Sequence, residues 1–185
     1  MTSKGTTPPV LGIDLGGTKI LAGVVSNDHQ ILGRAKRTTP AQEGGRAIVE
    51  AIVSCAEEAL ETAGLNRAQI GAVGIGSPGP LDAASGVIFF SANLNVKNFP
   101  LGPEVSRFFD RPALVQNDVR VGGYGEFRLG AGRGYRNIIV AFVGTGIGGC
   151  VIQGGEIVTG STGNAGEIGH MILKAGGPPC GCGAR

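Results

Sequence analysis

The sequence has no tryptophan, no block of like charge and no basic stripe interleaved with aromatic residues. Sixteen Lys and Arg stand against fourteen Asp and Glu, a formal net charge of +2. These absences exclude the electrostatic footprint of a nucleic-acid binder and a polybasic membrane patch. Met1 to Pro9 is polar and lacks the apolar stretch of a secretory signal. Residues 137–155 form an uncharged run long enough to span a membrane. Its six glycines, with Asn137, Thr145 and Gln153, make it two strands and turns instead of a helix. Cysteine is scarce: Cys55, Cys150, Cys180 and Cys182. Without a signal segment disulfides are disfavoured, and the Cys-x-Cys pair points to a metal. A soluble, cytoplasmic protein with neither nucleic-acid nor membrane partners is expected.

Glycine, by contrast, is in large excess, at 35 of 185 residues against a usual ~7%. It shows no three-residue period, so collagen is excluded. Hydrophobic residues make up 42% of the chain, enough for a packed core. The glycines therefore belong in turns and at contacts between backbone and ligand.

Short apolar runs at Val10–Asp14, Lys19–Val25 and Gln30–Lys36 predict three strands in an antiparallel meander. Gly44–Ala63 switches to helical periodicity, with Ile48, Val49, Ile52, Val53, Ala56, Ala59, Leu60 and Ala63 on one stripe and Gly64 as the stop. Further on, Ile70–Ile75 predicts a buried strand, Leu101–Phe109 a short helix, Ala113–Gln116 a strand and Asn117–Leu129 a helix. Asn137–Val143 and Ile147–Ile152 predict a hairpin around Gly144-Thr145-Gly146, with a second turn at Gly154-Gly155. The order gives an α/β protein with a mixed sheet and helices on its faces. VLGIDLGGTKILAGVV and IIVAFVGTGIGGCVI form a faint repeat of strand, Gly/Thr turn and strand, which predicts two related lobes, 1–118 and 119–185, facing one ligand.

Two glycine motifs resemble nucleotide signatures without satisfying them. Gly12 to Lys19 misses the P-loop order, because Thr18 precedes Lys19 and a strand follows where a P-loop opens a helix. Gly144 to Gly149 fits G-x-G-x-x-G, yet strand and turn follow it where a dinucleotide fold needs a helix. What remains is a pair of Gly/Thr hairpin turns. Their bare backbone can aim N–H groups at phosphate oxygens, with Thr hydroxyls adding donors. Asp14, beside the first turn, can hold a hydrated Mg²⁺. Tight hairpins favour glycine on their own account, but two matching turns, one with a carboxylate, favour phosphate binding.

Asp14-Leu15-Gly16-Gly17-Thr18-Lys19, Pro78-Gly79, Asn117-Asp118, Gly144–Gly149, Gly166-Glu167-Ile168-Gly169-His170 and Cys180-Gly181-Cys182-Gly183 occur in one order. In that order they resemble the ROK family of repressors and sugar kinases, most of all its glucokinase branch. The resemblance implies an actin-like (ribonuclease H-like) two-lobed fold, its first lobe complete and its second partial. It implies ATP-dependent phosphorylation of a hexose, foremost glucose to glucose 6-phosphate, with Mg²⁺ and Zn²⁺, and a homo-oligomer, a dimer, in the full-length form.

By the same resemblance, Asp118 acts as the general base that takes a sugar hydroxyl's proton during in-line attack on the γ-phosphate. Asn117-Asp118 is equally a good helix N-cap, and the two roles are compatible. Asp14, Gly16, Gly17, Thr18, Lys19, Gly144, Thr145, Gly146 and Gly148 would hold the nucleotide phosphates. Gly79, Asn93, Asn117, Asp118, Glu167 and His170 would meet the sugar, although Asn93 shares its segment with Asn95 and Asn98, any of them a turn residue. Glu167 and His170 are three apart and share a face if that segment is a helical turn. His170, Cys180 and Cys182 match three of the four ligands of the family's zinc site, a donor set suited to tetrahedral Zn²⁺. Zinc would fix one imidazole nitrogen and leave the other for the sugar. Cys55 and Cys150 read as small core residues.

The family's zinc motif continues past Gly183, and the fourth ligand, a second sugar-binding Glu and the adenosine contacts are expected beyond Arg185. A sugar-sensing regulator is the alternative, disfavoured because nine residues before Val10 leave no room for a DNA-binding domain; a non-catalytic sugar-binding protein is the third reading.

Overall fold

The computed structural model describes residues 7–144, 146–180 and 182–183. Its backbone contacts divide into two compact units, one through Asp118 and the other from Val119.

The first unit is built on a five-stranded sheet of β1 (Val10–Leu15), β2 (Lys19–Val25), β3 (Ile31–Thr38), β4 (Val73–Ser77) and β8 (Ala113–Asn117), in the order β3-β2-β1-β4-β8. β1, β2 and β3 form the antiparallel meander, while β4 and β8 run parallel to β1. Period-two burial is visible in both lead strands: Leu11, Ile13 and Leu15 of β1 and Ile20, Ala22 and Val24 of β2 are buried. Against that face lies α1 (Gly45–Thr62), burying Ile48, Ile52, Cys55, Ala56 and Ala59 at helical spacing. Close approach is the reason Gly33 is glycine, since a Cβ there would come within 2.6 Å of the Ala63 amide at the end of α1. The helix stops in a Schellman arrangement. Gly64 takes φ +67°, the Leu65 amide donates to the Leu60 carbonyl at 2.9 Å, and the Gly64 amide donates to Glu61 at 2.9 Å.

The predicted strand over Ile70–Ile75 begins three residues late. Asn66 caps a 3₁₀ turn at Arg67–Gln69, and the Arg111 guanidinium takes the Ala68 and Ile70 carbonyls at 2.8 Å each. Ile70 is buried, but its backbone is committed to Arg111 instead of a neighbouring strand.

Between β4 and β8 the chain makes a three-stranded antiparallel sheet that the apolar pattern does not predict: β5 (Leu81–Asp82), β6 (Val87–Ser91) and β7 (Val96–Phe99). Left-handed Asn95 (φ +51°) and Asn98 (φ +48°) interrupt its alternation. α2 (Leu101–Phe109) follows, with Leu101, Val105 and Phe109 buried on one stripe.

In the second unit α3 (Asp118–Leu129) leads to β9 (Ile138–Val143), β10 (Ile147–Gln153) and β11 (Glu156–Ile157), a sheet in the order β11-β10-β9. Gly154 (φ +66°) and Gly155 (φ +98°) make the tight turn between β10 and β11. Buried Cys150 of β10 faces Gly123 of α3, where a Cβ would lie 2.7 Å from the cysteine Cβ. The uncharged run over 137–155 is thus a hairpin, and no described helix is long and apolar enough to cross a membrane.

Candidate functional site

The parallel register of the first unit brings three motifs to one edge of its sheet. Asp14 pairs with Gly76 across β1 and β4, and Ser77 pairs with Asn117 across β4 and β8. Hence Asp14, the Ser77-Pro78-Gly79 loop and Asn117-Asp118 all leave from the carboxyl ends of parallel strands, the usual location of ligands in open α/β sheets. With one strand between them, and Asp118 two residues past the position level with Asp14, the Asp14 and Asp118 backbones are about 12 Å apart. Asn117 is the last residue of β8 and Asp118 opens α3.

Asp14 stands on the strand face opposite buried Ile13 and Leu15, and it is exposed. Beyond it the chain turns through Gly16, Gly17 and Thr18 into β2 at Lys19. The Gly16 amide donates to the Lys19 carbonyl at 2.9 Å. Thr39 supports the turn from β3's exit: its hydroxyl donates to the Gly16 carbonyl at 2.7 Å and its amide to the Thr18 carbonyl at 3.0 Å. Among the described residues, nothing accepts from the Gly17 or Thr18 amide. Turn amides without an internal acceptor are the feature that binds anions in backbone cradles.

Gly17 touches a second predicted residue. A Cβ on Gly17 would lie 2.8 Å from the Asn93 carbonyl oxygen and 3.0 Å from the Asn93 Cβ. The β6–β7 turn carrying Asn93 therefore packs on the β1–β2 turn, anchored by buried Ser91 and Leu94. Gly79, at φ +96°, abuts the same turn, where a Cβ would meet the Ser91 Cβ at 3.2 Å. Asn93 and Gly79 belong together, next to the first glycine turn. Ser77 is fully buried, and its hydroxyl has no partner among the described residues.

The second unit holds the other half of the predicted residues. Gly144 and Gly146 flank the β9–β10 turn, closed by a 2.9 Å bond from the Gly144 amide to the Gly146 carbonyl. Among the described residues, beyond the chain neighbours, nothing lies within 4 Å of where a Cβ would be on either. Thr145 lies outside the described residues. Gly148 is glycine for a different reason: a Cβ there would reach Val119 of α3 at 2.5 Å.

Glu167 and His170 share one 3₁₀ turn, Ile168–His170, with the His170 amide donating to the Glu167 carbonyl at 3.1 Å. The His170 ring meets Cys180, with Nδ1 3.8 Å from Sγ, and the donor atoms of His170, Cys180 and Cys182 all lie within 4.8 Å of one another. Tetrahedral Zn²⁺ with bonds of about 2.0–2.3 Å would space its ligands about 3.3–3.8 Å apart, so a small contraction brings the three onto one ion. Hydrogen bonds from the Cys182 amide and side chain, and then from His170, hold the Cys180 thiol below its ordinary range. That favours the thiolate a metal requires. Burial pushes the Cys55 and Cys150 thiols up instead, in keeping with two inert core residues.

Residue Thr39 has no chemical signature in the sequence, being one threonine of Thr38-Thr39-Pro40 twenty-three positions from Gly16. Only the fold reveals its place behind the turn.

Residues 10–185 match the ROK family. A glucokinase of Thermotoga maritima is 38% identical over 177 residues, which are 95% of this chain and 54% of that protein. An N-acetylmannosamine kinase of Citrobacter koseri is 35% identical over 176 residues, 95% of this chain and 58% of its own length. In structure the chain resembles a ROK family glucokinase from Streptomyces griseus in complex with glucose and AMPPNP, at a TM-score of 0.84 and 37% identity, covering 96% of this chain and 55% of the other. The chain spans about half the length of the relatives it matches. Its mixed sheet with flanking helices is the actin-like fold of ROK sugar kinases. With that fold, and matched from the first strand to the last motif, the chain belongs to the ROK family.

Proposed function

We propose that the protein transfers the γ-phosphoryl group of ATP to a hexose, foremost glucose, giving glucose 6-phosphate and ADP. The observation that carries this reading is the strand edge where Asp14, the Gly16–Thr18 turn and Asn117-Asp118 leave together, with the Asn93 turn packed on Gly17. Phosphoryl transfer asks a protein mainly for positioning and charge neutralisation. The outward amides of Gly17 and Thr18 and the side chain of Lys19 serve the phosphates, as do Gly144 and Gly146 of the second turn. Asp14 would hold Mg²⁺ through its waters, and the ion would neutralise charge on the phosphates. Asp118 takes the proton of the attacking hydroxyl. Asn93, Asn117, Glu167 and His170 hydrogen-bond the other hydroxyls, and Gly79 shapes the loop beneath the ring.

His170, Cys180 and Cys182 would hold Zn²⁺, a structural ion that fixes this segment. Since Nδ1 faces Cys180, Nε2 is the nitrogen left for the sugar.

Glucokinase relatives support glucose, while the N-acetylmannosamine kinase at 35% identity supports a 2-acetamido sugar as the second reading. The test is ADP release by the full-length protein with glucose, mannose, fructose, N-acetylglucosamine and N-acetylmannosamine in turn. Glucose-dependent release that disappears in Asp118→Asn supports the proposal. Release with N-acetylmannosamine alone moves it to the second reading, and no release with any sugar refutes it.

A further inference from the structure

We propose that Thr39 is a positioning residue for the nucleotide: it fixes the direction in which the Gly16–Thr18 turn presents the Gly17 amide. The inference rests on reading that turn as a phosphate cradle.

Thr39 is buried, with 6% of its surface exposed. It precedes Pro40, and a residue before proline favours extended backbone, so Thr39 continues the line of β3, whose Thr38 pairs with Lys19 at the far end of the turn. From there it makes two bonds into the turn, hydroxyl to the Gly16 carbonyl at 2.7 Å and amide to the Thr18 carbonyl at 3.0 Å. The Gly16 carbonyl and the Gly17 amide belong to one peptide unit. In a planar trans peptide C=O and N–H point in opposite directions. Holding that carbonyl against Thr39 therefore turns the Gly17 N–H away from Thr39, where no described residue accepts it.

Glycine at 16 and 17 gives the peptide freedom to rotate, and the Thr39 hydroxyl removes that freedom. Valine has nearly the same shape and keeps the amide bond to Thr18. It removes only the donor to Gly16, leaving an unpaired carbonyl and a peptide free to swing.

The experiment compares the full-length protein with Thr39→Val, Thr39→Ser and Thr39→Ala. Each is titrated calorimetrically with MgADP and, separately, with the hexose it phosphorylates best, and each is melted. Thr39→Val is expected to weaken MgADP about tenfold, the effect of losing one hydrogen bond that orients a binding group. Thr39→Ser, which keeps the donor, should stay within about twofold with its Tm unchanged, while Thr39→Val, which leaves the Gly16 carbonyl without its donor, should show a lower Tm but a hexose affinity weakened far less than that for MgADP. If valine does not fold, Thr39→Ala carries the same comparison. Parent-like MgADP binding in Thr39→Val, while Asp14→Asn binds it weakly, overturns the role of Thr39 and leaves the kinase reading intact. Equal weakening of both ligands with a lower Tm reduces Thr39 to a structural residue and also overturns the proposal. A parent protein that takes up no MgADP overturns the cradle reading and this inference together.

Discussion

Replacing Gly17 by alanine tests whether the first glycine turn and the Asn93 turn act as one piece. The added Cβ would fall 2.8 Å from the Asn93 carbonyl and 3.0 Å from its Cβ, both short of ordinary contact. Both opposing atoms are tied to backbone, so the Asn93 turn must withdraw by several tenths of an ångström. Overpacking of this kind costs about 1–3 kcal/mol, or about 5- to 150-fold in an equilibrium constant. Because Asn93 is the group displaced, that loss should fall on hexose binding as well as on nucleotide binding. Gly146→Ala is the matched comparison, since no atom of the described residues beyond its chain neighbours lies within 4 Å of its added Cβ and its backbone is not left-handed. Steady-state kinetics of the full-length enzyme should show Gly17→Ala raising the KM of hexose and of ATP together. Gly146→Ala should raise the KM of ATP alone. A Gly17→Ala enzyme with parental hexose KM would refute the coupling, because it would mean that Asn93 tolerates the displacement or does not touch the sugar.

Other outcomes follow from the same geometry. Asp118→Asn should bind hexose as the parent does while kcat falls by about 10²–10⁴-fold, the range for a lost general base; rapid-quench or coupled assays decide it. Full-length protein equilibrated with zinc should retain it, and Cys180→Ser should not. Its loss should come as pH falls and the Cys180 and Cys182 thiolates and the His170 imidazole reprotonate, which zinc content measured down a pH series checks. In Gly123→Ala the new methyl sits 2.7 Å from the Cys150 Cβ. Overpacking of about 3 kcal/mol less about 1 kcal/mol of helix propensity leaves a Tm about 4–8 °C lower, which Cys150→Gly should restore. Burial raises the Cys55 and Cys150 thiols in the folded state, so stability is fully present below the unfolded thiol pKa of about 8.5 and falls above it. Denaturant titrations at pH 8 and pH 10 measure that slope.

Where one local pattern decides an element, the sequence is a sufficient guide. α2 spans Leu101–Phe109 as its pattern predicts, and β2 spans Lys19–Val25. The apolar stripe of α1 reappears as its buried face. Elements decided by distant partners are not legible. The start of β4 depends on Arg111 taking carbonyls some forty positions away. β7 hides behind Asn98, a left-handed residue inside a four-residue strand. The candidate site divides in the same way. Asp14 and the Gly16–Lys19 turn are contiguous and stand out in the sequence. The support of that turn by Thr39 and its contact with Asn93 join segments that only the fold brings together.

The glycines of the two turns serve two requirements that a sequence motif superimposes. At Gly17, Gly148 and Gly149 a side chain would strike Asn93, Val119 and Ile168 respectively. Packing within the fold alone demands glycine there, whatever the protein binds. Among the described residues Gly144 and Gly146 have no close neighbour at the Cβ position, and neither has a left-handed backbone, so packing among those residues supplies no reason for their identity. A requirement that internal packing does not impose points outward, to a ligand approaching the bare backbone. For the second turn the phosphate reading therefore rests on these two residues and not on the full G-x-G-x-x-G string. The first turn reaches the same chemistry differently. Gly17 is fixed by Asn93, and under the proposed function the groups that would meet an anion are the amides of Gly17 and Thr18, which no described residue accepts from once Thr39 and Lys19 have engaged the turn's other polar groups. Matching strings thus arise from different physical causes, and alanine substitution separates them: tolerated by the fold at 144 and 146, opposed by it at 17 and 148.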